Sequence, residues 1–142
     1  MVTFDIKDLS VQFGHIRALK KVSLAIHANE ILSIIGPSNS GKTTFLRMLN
    51  RLNELHVKYR MEGAIRIGED GLFRVDVELL RKRVGMVFAL PLPLPFSVFD
   101  NVAYGVRMHG EKKKKSLDER VQKALQEAYL WEEVKEDRKS VV

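Results

Sequence analysis

The chain has 142 residues, of which 45% are apolar, 30% charged and 8% aromatic, a composition typical of one ordinary domain with a buried core. No apolar run approaches the roughly 20 residues that a membrane-spanning helix needs, and the acidic residues near the start are unlike a signal peptide. We therefore expect a cytoplasmic chain. The absence of cysteine excludes disulfides, thiolate metal sites and cysteine nucleophiles.

The net charge of +6 raises the question of nucleic-acid binding, but the charge is spread evenly along the chain. A nucleic-acid-binding face concentrates its basic residues, often with aromatic residues between them. The one basic run is Lys112 to Lys115, which contains no aromatic residue. It is either a solvated loop ahead of a helix or an electrostatic contact with phosphate or lipid headgroups. We expect no nucleic-acid partner.

The first part of the chain predicts strands and then a helix. Residues 4–6 and 22–26 alternate between apolar and polar, with the period of two of half-buried strands. Residues 31–35 are nearly all apolar or β-branched and end at Gly36-Pro37, which predicts a central strand buried on both faces. A helix follows directly, because one face of it gathers the apolar residues Phe45, Met48, Leu49 and Leu52.

The middle of the chain predicts shorter elements. Residues 64–67 are typical of a strand, residues 77–83 of a short helical segment with a basic end, and residues 86–88 of a second apolar strand. The prolines at 91, 93 and 95 then favour an extended loop. Strands that alternate with helices predict an α/β core, with ligands at the carboxyl end of the central strand.

Two helices are expected in the last third of the chain. Residues 97–107 can be helical, and Ser116-Leu117-Asp118-Glu119 is a capping-box pattern that predicts the start of a second helix. Behind this pattern, one apolar stripe contains Leu117, Val121, Ala124, Leu125 and Ala128. This last helix therefore needs a partner to pack on.

Residues 36–43, with the sequence Gly-Pro-Ser-Asn-Ser-Gly-Lys-Thr, fill every fixed position of the phosphate-loop pattern G-x-x-x-x-G-K-[ST]. Its glycines let the backbone turn several N–H groups inward, and the positive end of the next helix adds to this concavity. Lys42 would contact the β and γ phosphate oxygens, and the Thr43 hydroxyl would bind Mg²⁺. The predicted nucleotide-binding residues of the loop are Gly36, Ser38, Asn39, Ser40, Gly41, Lys42, Thr43 and Thr44.

The context of the loop bears on this interpretation. A glycine-rich turn can be a simple connector, but here a buried strand is expected before it and an amphipathic helix after it, which favours the motif. Asn39 stands where this loop usually has glycine, and asparagine tolerates a left-handed backbone better than most residues. The N-K-x-D and D-x-x-G sequences of small GTPases do not occur, so adenine is the expected base.

Around the loop, the sequence resembles the ATP-binding subunit of ABC transporters, and in particular that of bacterial phosphate importers. The resemblance runs through nearly the whole chain, in the strings LSVQFGHIRALKKVSL, IIGPSNSGKTTFLRMLNRLNEL, RKRVGMVF, FSVFDNVAYGVRMHG and ALQEAYLWEEVK. The string DNVAYG and the spacing of the three prolines resemble the phosphate-importer subfamily. The resemblance implies ATP and Mg²⁺ as ligands and, for the family, ATP hydrolysis coupled to uptake of inorganic phosphate.

The resemblance also implies the fold: an α/β, P-loop NTPase, ABC-type nucleotide-binding domain that stops before the signature segment and the Walker B strand. Residues 1–142 would be the N-terminal portion of one such domain. Residues 1–35 would hold an antiparallel β region and the central strand, and residues 36–53 the phosphate loop and its helix. Residues 84–142 would hold a Q-loop-like region and the start of a helical subdomain.

Phe13 occupies the position at which the family has its adenine-stacking aromatic residue, just before a glycine. From the residues alone, a core aromatic at the end of a strand is the preferred explanation. The resemblance instead implies a phenyl ring whose π-face stacks on adenine.

Ala89 stands where the family has a glutamine that binds Mg²⁺ and helps to position water, and a methyl group can do neither. The resemblance implies that the apolar loop from Leu90 to Phe99 faces a transmembrane permease subunit. An exposed apolar patch would suit such a protein contact. Alternatively, its leucines pack inward. The resemblance further implies a dimer of ATP-binding subunits, peripheral on the inner face of the plasma membrane.

Several catalytic parts of the family are absent from these residues. There is no segment like L-S-G-G-Q and no apolar strand that ends in Asp-Glu, and Glu132-Glu133 is typical of solvated surface. No complete catalytic set is therefore expected, so these 142 residues alone should bind ATP with slow or no turnover. The alternatives are a noncatalytic nucleotide-binding or interaction module and an inactive, truncated paralogue.

Overall fold

A computed structural model describes residues 2–55, 58–90 and 92–136. The chain forms two compact units, residues 1–87 and residues 88–142. The first unit contains all the described strands and the phosphate-loop segment, and the described residues of the second form three helices. None of the described helices is long and apolar enough to cross a membrane.

The sheet of the first unit has four strands in the order β2-β1-β3-β4, and all of its paired neighbours are antiparallel. β1 (Val2–Phe13) and β2 (Ile16–His27) form a long hairpin, and β3 (Arg60–Ile67) pairs with the other edge of β1. β4 (Asp70–Gly71) is a short strand next to β3. The predicted strands at 4–6, 22–26 and 64–67 are confirmed.

The helix α1 (Lys42–Leu49) packs on this sheet through the face that the sequence predicts. Phe45, Met48 and Leu49 are buried in one core with residues of β1 and β3. The helix ends earlier than its apolar stripe, because Leu52 already belongs to a 3₁₀ turn, Leu52–Leu55. The buried Asn53 donates a hydrogen bond of 3.0 Å to the Thr44 carbonyl, which ties this turn back to the start of α1.

A residue of a second helix donates hydrogen bonds to backbone carbonyls just after the end of α1. After a 3₁₀ turn at Leu72–Arg74, α2 spans Val77–Arg83, as predicted, and begins at Asp76, whose side chain accepts the N–H of Leu79. Arg81 of α2 donates to the backbone carbonyls of Asn50 and Arg51. Carbonyls at a helix end lack partners within the helix, so the arginine stabilises the position of α1.

The predicted central strand at residues 31–35 is wrong in this structure. The segment is extended without strand pairing, and the side chains of Ile31 and Ile35 are 99% and 93% exposed. A strand buried on both faces needs a neighbour on each side, and the described strands β1 to β4 pair only among themselves. The apolar pattern is that of a strand, but no described strand pairs with it.

The predicted strand at residues 86–88 is wrong for the same reason. These residues have no strand pairing, and Val87 is 98% exposed. The described part of the first unit is therefore an antiparallel sheet covered by short helices. The mixture of strands and helices agrees with the predicted α/β class, but the buried central strand expected to carry the ligand site is not formed.

The second unit is a small helical cluster. α3 (Val98–Met108), α4 (Lys114–Glu127) and the short α5 (Trp131–Val134) surround the buried residues Ala103, Leu117, Val121 and Leu125. The two long helices are confirmed, and α3 provides the packing partner that α4 needs. Ala124 and Ala128, also assigned to the apolar stripe, are exposed.

The predicted capping box at Ser116–Glu119 is wrong. The N-cap of α4 is Lys113, three residues before Ser116, and the side chain of Lys113 does not cap the helix. Glu111 acts instead: its carboxylate accepts the N–H of Lys113 at 2.9 Å and the hydroxyl of Ser116 at 2.8 Å. These contacts lower the pKa of Glu111, with the backbone contact of Lys113 as the largest cause. A preceding acid has therefore replaced the internal cap, and Lys112 to Lys115 are exposed at the helix start.

Candidate phosphate-binding cleft

The phosphate-loop segment closes around the ammonium group of Lys42. Lys42 Nζ donates to the carbonyl oxygens of Gly36 at 2.8 Å and Pro37 at 2.6 Å, and to Ser40 Oγ at 3.3 Å. The Ser40 N–H also contacts the Pro37 carbonyl at 3.3 Å. The side chain of residue 42 thus lies within the turn and not in bulk water.

The loop uses left-handed backbone at two positions. Asn39 has a φ of 63°, a conformation that asparagine tolerates better than most residues, as the sequence suggests. Gly41, the N-cap of α1, has a φ of 91°. Together these residues turn the chain from the extended segment 31–35 into the helix.

The N-terminus of α1 is open to an anion. No side chain caps the helix, its first turn contains no acidic residue, and the N–H of Phe45 donates to the carbonyl of Gly41 at 2.9 Å. The N–H groups of the first turn therefore keep their donor capacity, and the helix dipole adds positive potential at the same place. Residues 36–40 are exposed, so a ligand can reach the loop.

The loop and the hairpin of β1 and β2 share one cleft of about 610 Å³. This volume lies within the range of small-molecule sites, roughly 300–1,000 Å³. Phe13 and residues 39–44 contribute to it, so the structure brings together two features that are 26 positions apart in the sequence. The lining residues are Phe13, Ile16, Arg17, Ala18, Asn39, Ser40, Gly41, Lys42, Thr43 and Thr44.

Two of the predicted loop residues lie outside this cleft. Gly36 lines a separate apolar cavity of about 330 Å³ between the loop, β2 and Phe45, and its contribution to the loop is the carbonyl that Lys42 contacts. Ser38 is exposed and lines neither cavity. Its backbone N–H and its hydroxyl are the groups with which it could donate to an anion.

Phe13 has both a structural and a cleft-facing role. Its ring is half-buried, packs against the core cluster and lines the cleft. The centroid of the Phe13 ring lies 5.9 Å from that of Tyr59, with an angle of 50° between the ring planes. The two explanations offered by the sequence are therefore compatible.

Arg17 was not predicted from the sequence, yet it lies in the cleft. It is the second residue of β2, just after the hairpin turn that follows Phe13. The sequence held a signal for the proximity of Arg17 to Phe13, because a residue so close to a hairpin turn must lie near the end of the preceding strand. The position of the loop relative to the hairpin was not predictable, and this position makes Arg17 a cleft residue.

The described residues offer few side-chain atoms to a metal ion. Within residues 2–55, 58–90 and 92–136, no three His, Asp or Glu side chains gather as a metal site. Thr43, exposed in the first turn of α1, offers a single hydroxyl in the cleft. In phosphate-loop sites Mg²⁺ is held by the Ser or Thr hydroxyl of the loop together with an aspartate and with phosphate and water oxygens. Thr43 would supply the hydroxyl, and the residues that line this cleft include no carboxylate.

Ala89 and the loop that follows it belong to the second unit. Ala89 is exposed, and its methyl group offers no polar atom. Leu90 and Leu92 are 78% and 89% exposed, whereas Phe99 packs against the helical cluster. Pro91 lies outside the described residues. The loop therefore divides between an exposed first part and an inward-packed end.

The end of this loop has a fixed shape because of Asn101. Its Oδ1 accepts the N–H of Leu94 at 2.8 Å, and its Nδ2 donates to the carbonyls of Leu94, Phe96 and Ser97 at 3.0 to 3.1 Å. One side-chain amide thus contacts four backbone groups of residues 94–97, with its two N–H bonds shared among three carbonyls. Ser97 then caps α3 by accepting the N–H of Asp100 at 3.1 Å.

Comparisons with known proteins agree with this architecture. The family model described as "ABC transporter" matches residues 19–141. Two curated relatives, both called Phosphate import ATP-binding protein PstB 3, come from Streptococcus pneumoniae, serotype 4 strain TIGR4 and strain R6. Each is 45% identical over 141 residues, which are 98% of this chain and 56% of the relative. The chain thus spans about half the length of these relatives, and, with the phosphate loop inside the matched region, it belongs to the ABC transporter family.

Proposed function

We propose that this chain binds ATP with Mg²⁺ through residues 36–44, as part of the ATP-binding subunit of an importer. The observation that carries the proposal is the closed loop around Lys42 in a cleft that also contains Phe13. The loop and the helix N-terminus suit a phosphate tail, and the aromatic ring suits a base.

Lys42 is held ready for a phosphate. Its ammonium group donates to two neutral carbonyls, whereas a phosphate oxygen would add the attraction between opposite charges to such a hydrogen bond. The β and γ phosphate oxygens would therefore replace these carbonyls as partners. The backbone N–H groups from Ser38 to Thr43 would surround the phosphates, and Arg17 adds positive charge at the hairpin side of the cleft.

The Thr43 hydroxyl would hold Mg²⁺ when the ion is bound, and the ion would supply charge neutralisation between the β and γ phosphates. Phe13 would stack on adenine, as the resemblance implies. Its ring reaches the same cleft as the loop, and stacking needs only the π-face, which phenylalanine has.

Turnover by these 142 residues alone is expected to be slow or undetectable. The residues that line the described cleft include no carboxylate to orient a water molecule, and Ala89 has no polar group. Phosphate contacts of this kind bind substrate and transition state about equally, and such uniform binding does not accelerate chemistry. The family activity that we propose for the whole subunit is ATP hydrolysis to ADP and phosphate, coupled to transport.

The proposed solute is inorganic phosphate. The two relatives are named for phosphate import, and the string DNVAYG and the proline spacing of this chain resemble that subfamily. The proposed partner is a transmembrane permease subunit, contacted through Leu90–Phe99, whose first leucines are exposed. Two ATP-binding subunits would pair in the assembly, peripheral on the inner membrane face. We propose no nucleic-acid partner.

Binding of fluorescent ATP to the 142-residue chain tests the nucleotide proposal. Lys42→Ala removes the ammonium group at the centre of the loop and is expected to weaken affinity by at least tenfold. Lys123→Ala removes the same charge from an exposed position on α4 and should leave affinity unchanged. Equal affinity of Lys42→Ala and the unaltered chain would refute the proposal.

A second candidate is a noncatalytic nucleotide-binding or interaction module, or an inactive truncated paralogue, and Ala89 is the observation that favours it. A full-length chimera, in which the remaining part of a relative follows this chain, separates the two functions. Renewed ATPase activity on Ala89→Gln favours the transporter subunit. Nucleotide-dependent association with a partner, without phosphate release in either form, favours the module. Cooperative unfolding of the purified chain would argue against a nonfunctional fragment.

A further inference from the structure

Tyr59 lies beside Phe13 because of the register of the sheet. β1 and β3 run antiparallel with Gln12 opposite Arg60, so the residue after Gln12 and the residue before Arg60 are neighbours. Their rings contact each other, with centroids 5.9 Å apart and planes inclined by 50°. Separations of this kind, from 4.5 to 7 Å, are those of aromatic pairs that attract each other.

The two rings face different clefts. Phe13 lines the cleft of the phosphate loop, whereas Tyr59 lines a neighbouring cleft of about 570 Å³ with Gln12, Gly14, His15, Lys58 and Arg60. Tyr59 is not among the residues that line the phosphate-loop cleft. It therefore contacts Phe13 from outside the cleft in which a nucleotide would lie.

Phe13 needs support from a neighbour to keep one orientation. It is the last residue of β1, next to an exposed turn at Gly14 and His15, and its own side chain is only half-buried. Tyr59 is also half-buried and packs against the core cluster, so its ring limits the space in which the Phe13 ring can turn. Burial is the largest cause that raises the pKa of the Tyr59 phenol; the charge of Glu54 raises this pKa further and Arg51 opposes it, so the ring stays neutral.

We propose that Tyr59 is a positioning residue that sets the orientation of the Phe13 ring, and through it the affinity of the cleft for the base of the nucleotide. The inference rests on the proposed function, because it concerns the same cleft. Stacking depends on the plane that a ring presents, so a ring free to turn offers a weaker platform. Tyr59 would thus affect recognition of adenine and leave recognition of phosphate unchanged.

Calorimetric titration of the 142-residue chain with Mg·ATP and with Mg·tripolyphosphate tests this division. Tyr59→Leu and Tyr59→Met keep an apolar side chain on the core but remove the ring, and both are expected to weaken ATP binding roughly two- to tenfold, with tripolyphosphate binding unchanged. Tyr59→Phe keeps the ring and removes the hydroxyl, so it should bind ATP within twofold of the unaltered chain.

Repeating the substitutions in a Phe13→Ala background tests whether Tyr59 acts through Phe13. Two residues that act through one contact give non-additive effects. Once Phe13 is removed, Tyr59→Leu should have no further effect on ATP affinity. A full additional loss would show that Tyr59 acts independently of Phe13 and would overturn the proposal.

The remaining outcomes are also decisive. Unchanged ATP affinity in both ring-removing variants overturns the proposal. Equal loss of ATP and tripolyphosphate binding also overturns it, because Tyr59 would then have only a structural role. A Tyr59→Phe variant as weak as Tyr59→Leu overturns it in favour of direct hydroxyl contact. Failure of the proposed function is distinguishable from failure of the Tyr59 proposal. If the proposed function is wrong, Lys42→Ala will bind tripolyphosphate as well as the unaltered chain does.

Discussion

Gly41 lies directly against the backbone carbonyl of Ala18 on β2. A Cβ atom on residue 41 would be 2.4 Å from that oxygen and 2.9 Å from Leu19 Cδ2. This close approach holds the start of α1 on the hairpin, and for this reason the phosphate loop and Phe13 line one cleft.

We expect Gly41→Ala to damage both stability and nucleotide binding. A left-handed residue with a Cβ costs roughly 1–2 kcal/mol, and the overlap with the Ala18 carbonyl adds a clash that only backbone movement relieves. The free energy of unfolding should fall by about 2 kcal/mol or more, and ATP affinity at least tenfold. Gly68→Ala is the matched control, since Gly68 also has a positive φ of 60° but open space around it. Equal effects of the two substitutions on stability and affinity would contradict the role of the Ala18 contact.

Asn101→Ala should loosen the loop of residues 94–97 without unfolding the helices. The change removes one acceptor and one donor group that together make four contacts with the backbone. Loss of one hydrogen bond typically lowers the free energy of unfolding by about 1 kcal/mol. We expect faster cleavage of this loop in limited proteolysis and a modest fall in Tm. Gln122→Ala removes an amide from an exposed position of α4 and should change neither rate nor Tm. A cleavage rate equal to that of the unaltered chain would disprove the role of Asn101.

The second unit should lose stability in acid through Asp100. Its carboxylate accepts the Ser97 hydroxyl, the largest cause, and is paired with Arg107, and both contacts lower its pKa below the ordinary value. Because the folded-state pKa is the lower one, the contribution to stability is complete above the unfolded pKa of about 4 and is lost as pH falls through the folded value.

Unfolding followed by fluorescence of Trp131, the single tryptophan, reports on this unit because that residue packs on its core. The unaltered chain should be more stable than Asp100→Asn at pH 7, and the difference should shrink below pH 4. A difference that stays constant from pH 7 to pH 2.5 would exclude the carboxylate as its origin.

Ile31→Lys should improve solubility at almost no cost in stability. Residue 31 is 99% exposed, and substitutions at such positions usually change the free energy of unfolding by less than about 0.5 kcal/mol. The apolar segment 31–35 has strand character and no partner among the described strands, so it favours self-association. Light scattering should show less aggregation for Ile31→Lys than for Met108→Lys, which adds the same charge at an exposed position on α3. Equal aggregation of the two variants would show that segment 31–35 does not drive self-association.

Local patterns predicted the local structure well. The alternation in residues 4–6 and 22–26, the helical spacing from Phe45 to Leu49, and the left-handed tolerance of Asn39 each depend on neighbours in the chain, and each appears as expected. The start of α4 was misplaced because Glu111, from outside the apparent cap, supplies the capping contacts.

The sequence by itself determined the phosphate-loop motif, the helices α1 to α4 and the family resemblance, because these depend on residue types at short, fixed spacings. Tertiary structure decided the rest. Segments 31–35 and 86–88 have the composition of strands but lie exposed, since a strand exists only where another backbone accepts its hydrogen bonds. Tertiary structure also decided the composition of the cleft. Phe13, Arg17 and Lys42 line it together because the hairpin and α1 pack at Gly41, a contact between distant residues that no short pattern encodes.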